Sequence, residues 1–386
     1  MLRMLTASTD KIDDAEAAVA DVLGQLDFGS LLKNSIGIIA CHCEFIQTGV
    51  LKALCDRLPF GTVGCTTLAS VTSGVYGYDL LSISVLTSDD VCFAAALSGS
   101  VSADDTERPI ADAYGRALNA LPGAPALALA YAPLVPKVGS NRVYNSLAKL
   151  CGRTRLFGTF SCENTVRFVK NKVIWNGEAF RDALALILMS GNVKPRFFVA
   201  GIPEKTMLKQ RAVVTESSGC VIKKINDMTA VDYLTARNLV DYSNFEARGI
   251  VAPFLADYGD GAGPVTGALL SFTPQGSAIC GSDMPVGATI SIGSLDYDGV
   301  IETAKLAVGK LLDAGDMSSV LMYSGISRNV LLGANQDDVM KMLQGMLGRD
   351  TPYQFCYSGG EICPLENREG EYVNHLHHFT FTACAF

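Results

Sequence analysis

One order of elements, strand, helix, strand, helix, strand, strand, recurs three times along the 386 residues, and a fixed period constrains a fold more than any single segment does. In the first unit, 1–88, a strand over 2–8 leads into a helix over 13–26 whose Val19, Val22, Leu23 and Leu26 recur at helical spacing. A strand over 36–43 follows, then a helix with Leu51, Leu54, Cys55 and Leu58 on one face, a strand over 61–67 and an alternating strand over 80–86. The second unit, 91–190, repeats the order with helix faces Ile110, Ala113, Ala117, Leu121 and then Val143, Leu147, Leu150. The third, 288–386, carries Ile301, Ala304, Val308, Leu311 and then Val339, Met342, Leu343, Met346, and closes on a strand over 378–384. Residues 191–287 do not fit: strand-like runs lie at 196–201, 220–226 and 267–273, a helix near 229–238, and a Gly/Asp/Pro-rich loop over 257–264. The expected fold class is α/β, with three βαβαββ repeat units and an inserted mixed α+β subdomain before the third.

The length exceeds what one hydrophobic core organises. Hydrophobic residues make up 49% and charged residues 18% of the chain, yet no apolar run approaches the ~18 residues needed to cross a bilayer. The apolar content therefore belongs to cores, and no membrane insertion is expected. The first ten residues lack the basic, apolar, small-residue order of a signal peptide. Most of the 12 cysteines sit singly in apolar runs, as Cys55, Cys92, Cys151, Cys280 and Cys384 do, which predicts reduced thiols and a cytoplasmic protein. A net charge of -8 opposes a phosphate-binding surface, so no nucleic-acid partner is expected. The short basic cluster of Arg167, Lys170 and Lys172 reads as a solvated hairpin face.

Right-handed crossovers bring the loops that leave the first three strands of a unit to one sheet edge, where open α/β sheets bind ligands. In the third unit that edge gathers residues 293–296, then Ser324, Gly325, Ser327, Arg328 and Asn329, then Ser358, Gly359, Gly360 and Glu361. Arg328 suits a carboxylate, Glu361 suits an ammonium group, and the glycines let backbone approach closely, a set complementary to a small zwitterion. The competing reading pairs Arg328 with Glu361 and leaves the glycines as a tight turn. The first unit offers Cys41, His42, Cys43 and Glu44 beside residues 64–67, and the second offers Pro133, Lys137, Ser161, Cys162, Glu163 and Asn164. Three equivalent sites are therefore not expected.

Two other chemistries compete. A cysteine-dependent hydrolase or transferase would use Cys65 as nucleophile and His42 as base, although no Ser-His-Asp pattern, Walker loop or GxGxxG run accompanies them. A metal site would join His375, His377 and His378 to Cys356 or Cys363, but no Cys-x-x-Cys pair supports it. No metal, cofactor or catalytic residue is assigned.

At these residues the chain resembles the FIST family, sensory domains named for F-box and intracellular signal transduction proteins. Gly64-Cys65-Thr66-Thr67 resembles its N-terminal Gly-Cys-Ser/Thr-Thr run. Tyr323-Ser324-Gly325-Ile326-Ser327-Arg328 with Leu332-Gly333 resembles its Ser-Cys-x-x-Arg segment, and Ser358-Gly359-Gly360-Glu361-Ile362-Cys363-Pro364 its Gly-Glu-Ile motif. The resemblance implies an N-terminal family region over 1–190 and a C-terminal one over 191–386. It also implies an intracellular sensory module for an amino-acid-like metabolite, signalling to a protein partner in trans, with no established catalysis. The implied ligand-binding residues are Ser324, Arg328, Asn329, Ser358, Gly359, Gly360, Glu361 and His377. Gly325 stands where the family often has cysteine, Ala69-Ser70 where it has Gly-Glu, and His377-His378-Phe379-Thr380 where it has His-Asn-x-Thr. The C-terminal half, which keeps its acidic group, is the expected binding half.

Overall fold

The alternation of apolar residues along each strand determines where its two faces go. On the strand Val320–Gly325, Leu321 and Tyr323 turn to one core while Val320 and Met322 turn to another. The same division holds in the three six-stranded sheets of the computed structural model, which describes the chain except for residues 1, 136, 165–168, 240–251, 316 and 349–350. Arg167, of the expected basic hairpin face, lies outside the described residues; Lys170 is exposed.

Three six-stranded sheets share one strand order. The first runs Arg3–Thr9, Leu81–Ser88, Asn34–Cys41, Thr62–Thr66, with Asn34–Cys41 and Thr62–Thr66 parallel and the other neighbours antiparallel. The second runs Val91–Leu97, Ala185–Gly191, Leu127–Ala132, Arg155–Phe160. The third runs Arg196–Ala200, Phe381–Ala385, Val320–Gly325, Tyr353–Ser358.

Each sheet is completed by a hairpin from elsewhere. Ser70–Thr72 and Val75–Gly77 extend the third sheet, Val173–Trp175 and Glu178–Phe180 the first, and Glu361–Glu366 and Tyr372–His377 the second. The exchange is cyclic, so every sheet borrows an edge and donates one, which covers edges that would otherwise present unpaired backbone.

The inner faces meet in one central core that holds Met4 and Ile38 from the first sheet, Leu129 and Phe157 from the second, and Leu321 and Tyr323 from the third. Phe157 stacks on Tyr323 with centroids 5.0 Å apart, and the Tyr323 hydroxyl donates to that of Tyr131 at 3.3 Å. Helices cover the outer faces. In the third sheet Tyr297–Asp313 does so, its start capped by the Asp296 side chain accepting from the Gly299 amide and its buried stripe formed by Val300, Ala304, Ala307, Val308 and Leu311.

The expected boundary at 288 moves. The strand Thr289–Ile292 pairs with Ala252–Asp257 and Ala212–Ser218 in a separate seven-stranded sheet, which Ala212–Ser218 closes into a small barrel by pairing with Val221–Ile225. The strand before the helix Tyr297–Asp313 in the third sheet is instead Arg196–Ala200, paired along its length with Phe381–Ala385. Along the chain the barrel thus lies between the first strand of the third sheet and the helix that covers that sheet. Strand pairing over nearly 200 residues has no local signature for periodicity to read. The architecture is mixed α/β, with several sheets and a small barrel, and no helix among the described residues is long and apolar enough to cross a membrane.

Candidate functional site

The parallel strands Val320–Gly325 and Tyr353–Ser358 end side by side, Gly325 opposite Ser358, and the chain beyond each turns into one cavity of about 420 Å³. Gly325, Ser327, Ser358, Gly359, Gly360 and Glu361 line it from the third unit. Leu134, Val135 and Ser140 close it from the second unit, and Ala268 and Leu270 from the barrel. His378 and Phe379 complete the wall.

Glu361 is fully buried at the start of the hairpin strand that crosses to the second sheet. Its Oε2 accepts from the Thr380 amide at 3.1 Å and from the Thr380 hydroxyl at 2.6 Å. Its Oε1 has no hydrogen-bond partner. Burial pushes the carboxyl up to about 7, against the opposing pull of the Thr380 donors and of the Arg328 charge. Gly325 leaves open the space beside that orphan oxygen: a Cβ there would lie 3.2 Å from Oε1 and 3.4 Å from the Ser327 hydroxyl.

The other glycines are structural. A Cβ on Gly359 would fall 2.5 Å from Leu134 Cδ1 and 2.9 Å from the Ser161 carbonyl, so only glycine fits where two units touch. The Gly360 amide donates to the Ser358 hydroxyl, which accepts also from Thr159 at 2.7 Å and donates to the Gly360 carbonyl. His378 is half-buried, its Nε2 lies against the Gly281 backbone without a hydrogen bond of good geometry, and desolvation of the ring brings the imidazole down to about 4.

Of the expected residues, Ser358, Gly359, Gly360 and Glu361 come together here, and Ser324, Arg328, Asn329 and His377 do not line the cavity. Arg328 is a correction to both readings of it. The side chain is buried beneath the helix Tyr297–Asp313, where Nη1 donates to the carbonyls of Gly201 and Phe379 and Nη2 to the Val300 carbonyl and the Thr303 hydroxyl, at 2.9–3.2 Å. It neither pairs directly with Glu361 nor faces the cavity. Ser324 is buried within its strand, and the Asn329 amide donates to the Tyr78 hydroxyl and the Gln336 carbonyl. His377 pairs with Glu361 through the backbone ladder while its Nε2 meets the Cys363 carbonyl at 2.9 Å. Thr380, Phe379 and His378 were not among the expected residues. The signal for Thr380 was its place in the His-His-Phe-Thr segment.

The cysteine alternative does not assemble. Cys65 points into the central core near Cys41, Cys162 and Cys356, and burial holds its thiol well above the ordinary range, the reverse of what a nucleophile needs. His42 instead neighbours Cys43, at 4.0 Å, and Asp79, at 3.8 Å. Of the histidines of the metal alternative, His375 lies beside Asp260 at 3.3 Å, stacked on Tyr258, with the His377 ring edge-on at 6.1 Å. Among the described residues no cluster of three His, Cys, Asp or Glu side chains could hold a metal ion.

A larger cavity of about 570 Å³ lies around Asp283 and His375. There the Asp283 carboxylate already accepts from Asn141 at 2.5 Å and Asn145 at 2.7 Å, so its demand is met within the protein. Among the described residues, the buried carboxyl oxygen left without a partner is Oε1 of Glu361.

No curated protein matches the sequence. Among solved structures, a cyanuric acid hydrolase from A. caulinodans aligns with 9% identity over 100% of this chain and 98% of its own at a TM-score of 0.36, a likeness too slight to argue from. Residues 35–228 match the FIST N domain and residues 232–364 match the FIST C domain. The chain belongs to the FIST family, whose domains are generally sensory and signalling domains.

Proposed function

We propose that this protein is a sensory module that binds a small metabolite in the cavity around Glu361 and passes the signal to a separate protein partner. One observation carries the reading: a fully buried carboxylate with an unpartnered oxygen lines a cavity of about 420 Å³. Burying a polar atom without a partner costs on the order of 1–3 kcal/mol, and a ligand donor that meets it removes that cost only in the bound state. The cavity lies where the second unit, the third unit and the barrel meet, so occupancy bears on how three bodies pack. The reading of the chain as three βαβαββ units, the third interrupted by the barrel, rests on the strand order that the three sheets share. Twelve free cysteines, nine of them buried, suit the cytoplasm, and the net charge of -8 disfavours nucleic acid.

A thermal-shift screen of small nitrogenous metabolites tests this reading, because a ligand that binds only the folded state raises the melting temperature. The expected hits stabilise the native protein and lose their effect in Glu361→Ala. Hits that stabilise both proteins equally would place binding elsewhere.

A further inference from the structure

The notion of a zwitterionic ligand needs a cation for the carboxylate and an acceptor for the ammonium group. Only the acceptor is in the cavity. The four contacts of Arg328 to three carbonyls and a hydroxyl occupy both terminal nitrogens of its guanidinium beneath the helix Tyr297–Asp313. No lysine or arginine is among the described residues that line the cavity. A ligand carboxylate would therefore enter beside Glu361 with no countercharge, and two carboxylates in one desolvated site repel. Much of the remaining wall is apolar: Leu134, Val135, Leu270, Ile326 and Phe379.

Resting on the sensory reading of this same cavity, we infer that its ligand is a primary amine with an apolar body and no carboxylate. The ammonium group lies against Glu361 Oε1 and the Ser327 hydroxyl, in the space that the absent side chain of Gly325 leaves open. An ammonium has three donors and no acceptor, which suits a carboxylate oxygen and a hydroxyl. A charge-assisted hydrogen bond in a desolvated site is stronger than a neutral one. The apolar body then rests against the aliphatic wall, where burial supplies affinity without direction.

The pH dependence follows from the groups around Glu361. The His378 imidazole is brought down to about 4, the Cys162 thiol is pushed up to about 12, and the Cys363 thiol lies well above its ordinary value. The Arg328 guanidinium, lowered only to about 10 by burial, stays charged. Between about pH 6 and pH 8 the group that changes charge is therefore Glu361, at about 7, and the amine affinity rises about tenfold across that interval as the carboxyl ionises.

Calorimetric titration of the full chain with isoamylamine, leucine, isocaproate and isoamyl alcohol separates the possibilities, because the four share one apolar body. At about pH 8 the amine binds at least about tenfold more tightly than the other three, and Glu361→Gln removes that preference. Leucine, isocaproate or the alcohol binding as tightly as the amine overturns the inference and leaves the sensory cavity standing. Binding by none of the four overturns both. An amine preference that survives in folded Glu361→Gln also overturns the inference, and the ligand series on the unaltered protein decides the question if that variant does not fold.

Discussion

Thr380 donates twice to one oxygen of Glu361, from its amide at 3.1 Å and its hydroxyl at 2.6 Å, while the other oxygen has no partner. The pair also ties two sheets together, since Glu361 begins the hairpin that crosses to the second sheet and Thr380 precedes the last strand of the third. Thr380→Val keeps the shape and the amide but removes the hydroxyl. The variant should lose about 1–3 kcal/mol of stability where Glu361 is ionised and much less near pH 5, where it is protonated. Urea denaturation at two pH values checks this.

Glu361 makes the apo protein less stable as pH rises. The carboxyl has its ordinary 4.5 in the unfolded chain and about 7 in the fold, so between those values the unfolded state ionises first. Glu361→Gln escapes this. Its stability relative to the native protein should grow from about pH 4.5 to pH 7 and level off on the order of 3 kcal/mol higher. His375, His377 and His378 shift downward and act below pH 6.5 in both proteins, so they cancel in the difference. A flat difference across the window would be inconsistent with an up-shifted carboxyl.

Arg328→Met should damage the fold more than recognition. The change leaves three buried carbonyls and the Thr303 hydroxyl without their donor, at a cost on the order of 3–5 kcal/mol. Chemical denaturation measures the loss. Unchanged stability would mean that these acceptors find other donors.

Two glycines at the same cavity should respond differently to alanine. In Gly325→Ala the new methyl lies 3.2 Å from Oε1 and 3.4 Å from the Ser327 hydroxyl, a tight approach that a small shift of those side chains relieves, so amine binding should fall about tenfold while stability changes by about 1 kcal/mol. Gly359→Ala drives its methyl against Leu134 and the Ser161 carbonyl and should cost about 1–3 kcal/mol. Calorimetric titration and denaturation of both variants separate a blocked site from a strained junction.

Cys65 should be silent toward thiol reagents in the native state at about pH 8 and become reactive only as the protein unfolds, because burial suppresses its thiolate. Mass spectrometry of pulse-labelled protein along a urea gradient reads this directly. Labelling of Cys65 in folded protein would reopen the nucleophile reading.

Periodicity is local, and what it encodes was legible in the chain. Ala304, Val308 and Leu311 could be placed on one helix face, because each depends on neighbours a few positions away, whereas Ile301, read onto the same face, is only half-buried and Val300 takes the buried place. The loops that carry Gly325 and Glu361 could be assigned to one sheet edge for the same reason: parallel strands joined by right-handed crossovers end together. The sequence by itself therefore determined the α/β class, the order of most elements and the edge where a site would form. Tertiary structure decided which strand begins the third sheet, which hairpin completes each sheet, and what Arg328 and Glu361 touch. These depend on contacts such as Arg196–Ala200 with Phe381–Ala385 and Arg328 with Gly201, between residues more than a hundred positions apart. A charged side chain pairs with whatever buried acceptor packing brings to it. Packing brought four to Arg328 and left one oxygen of Glu361 without a partner.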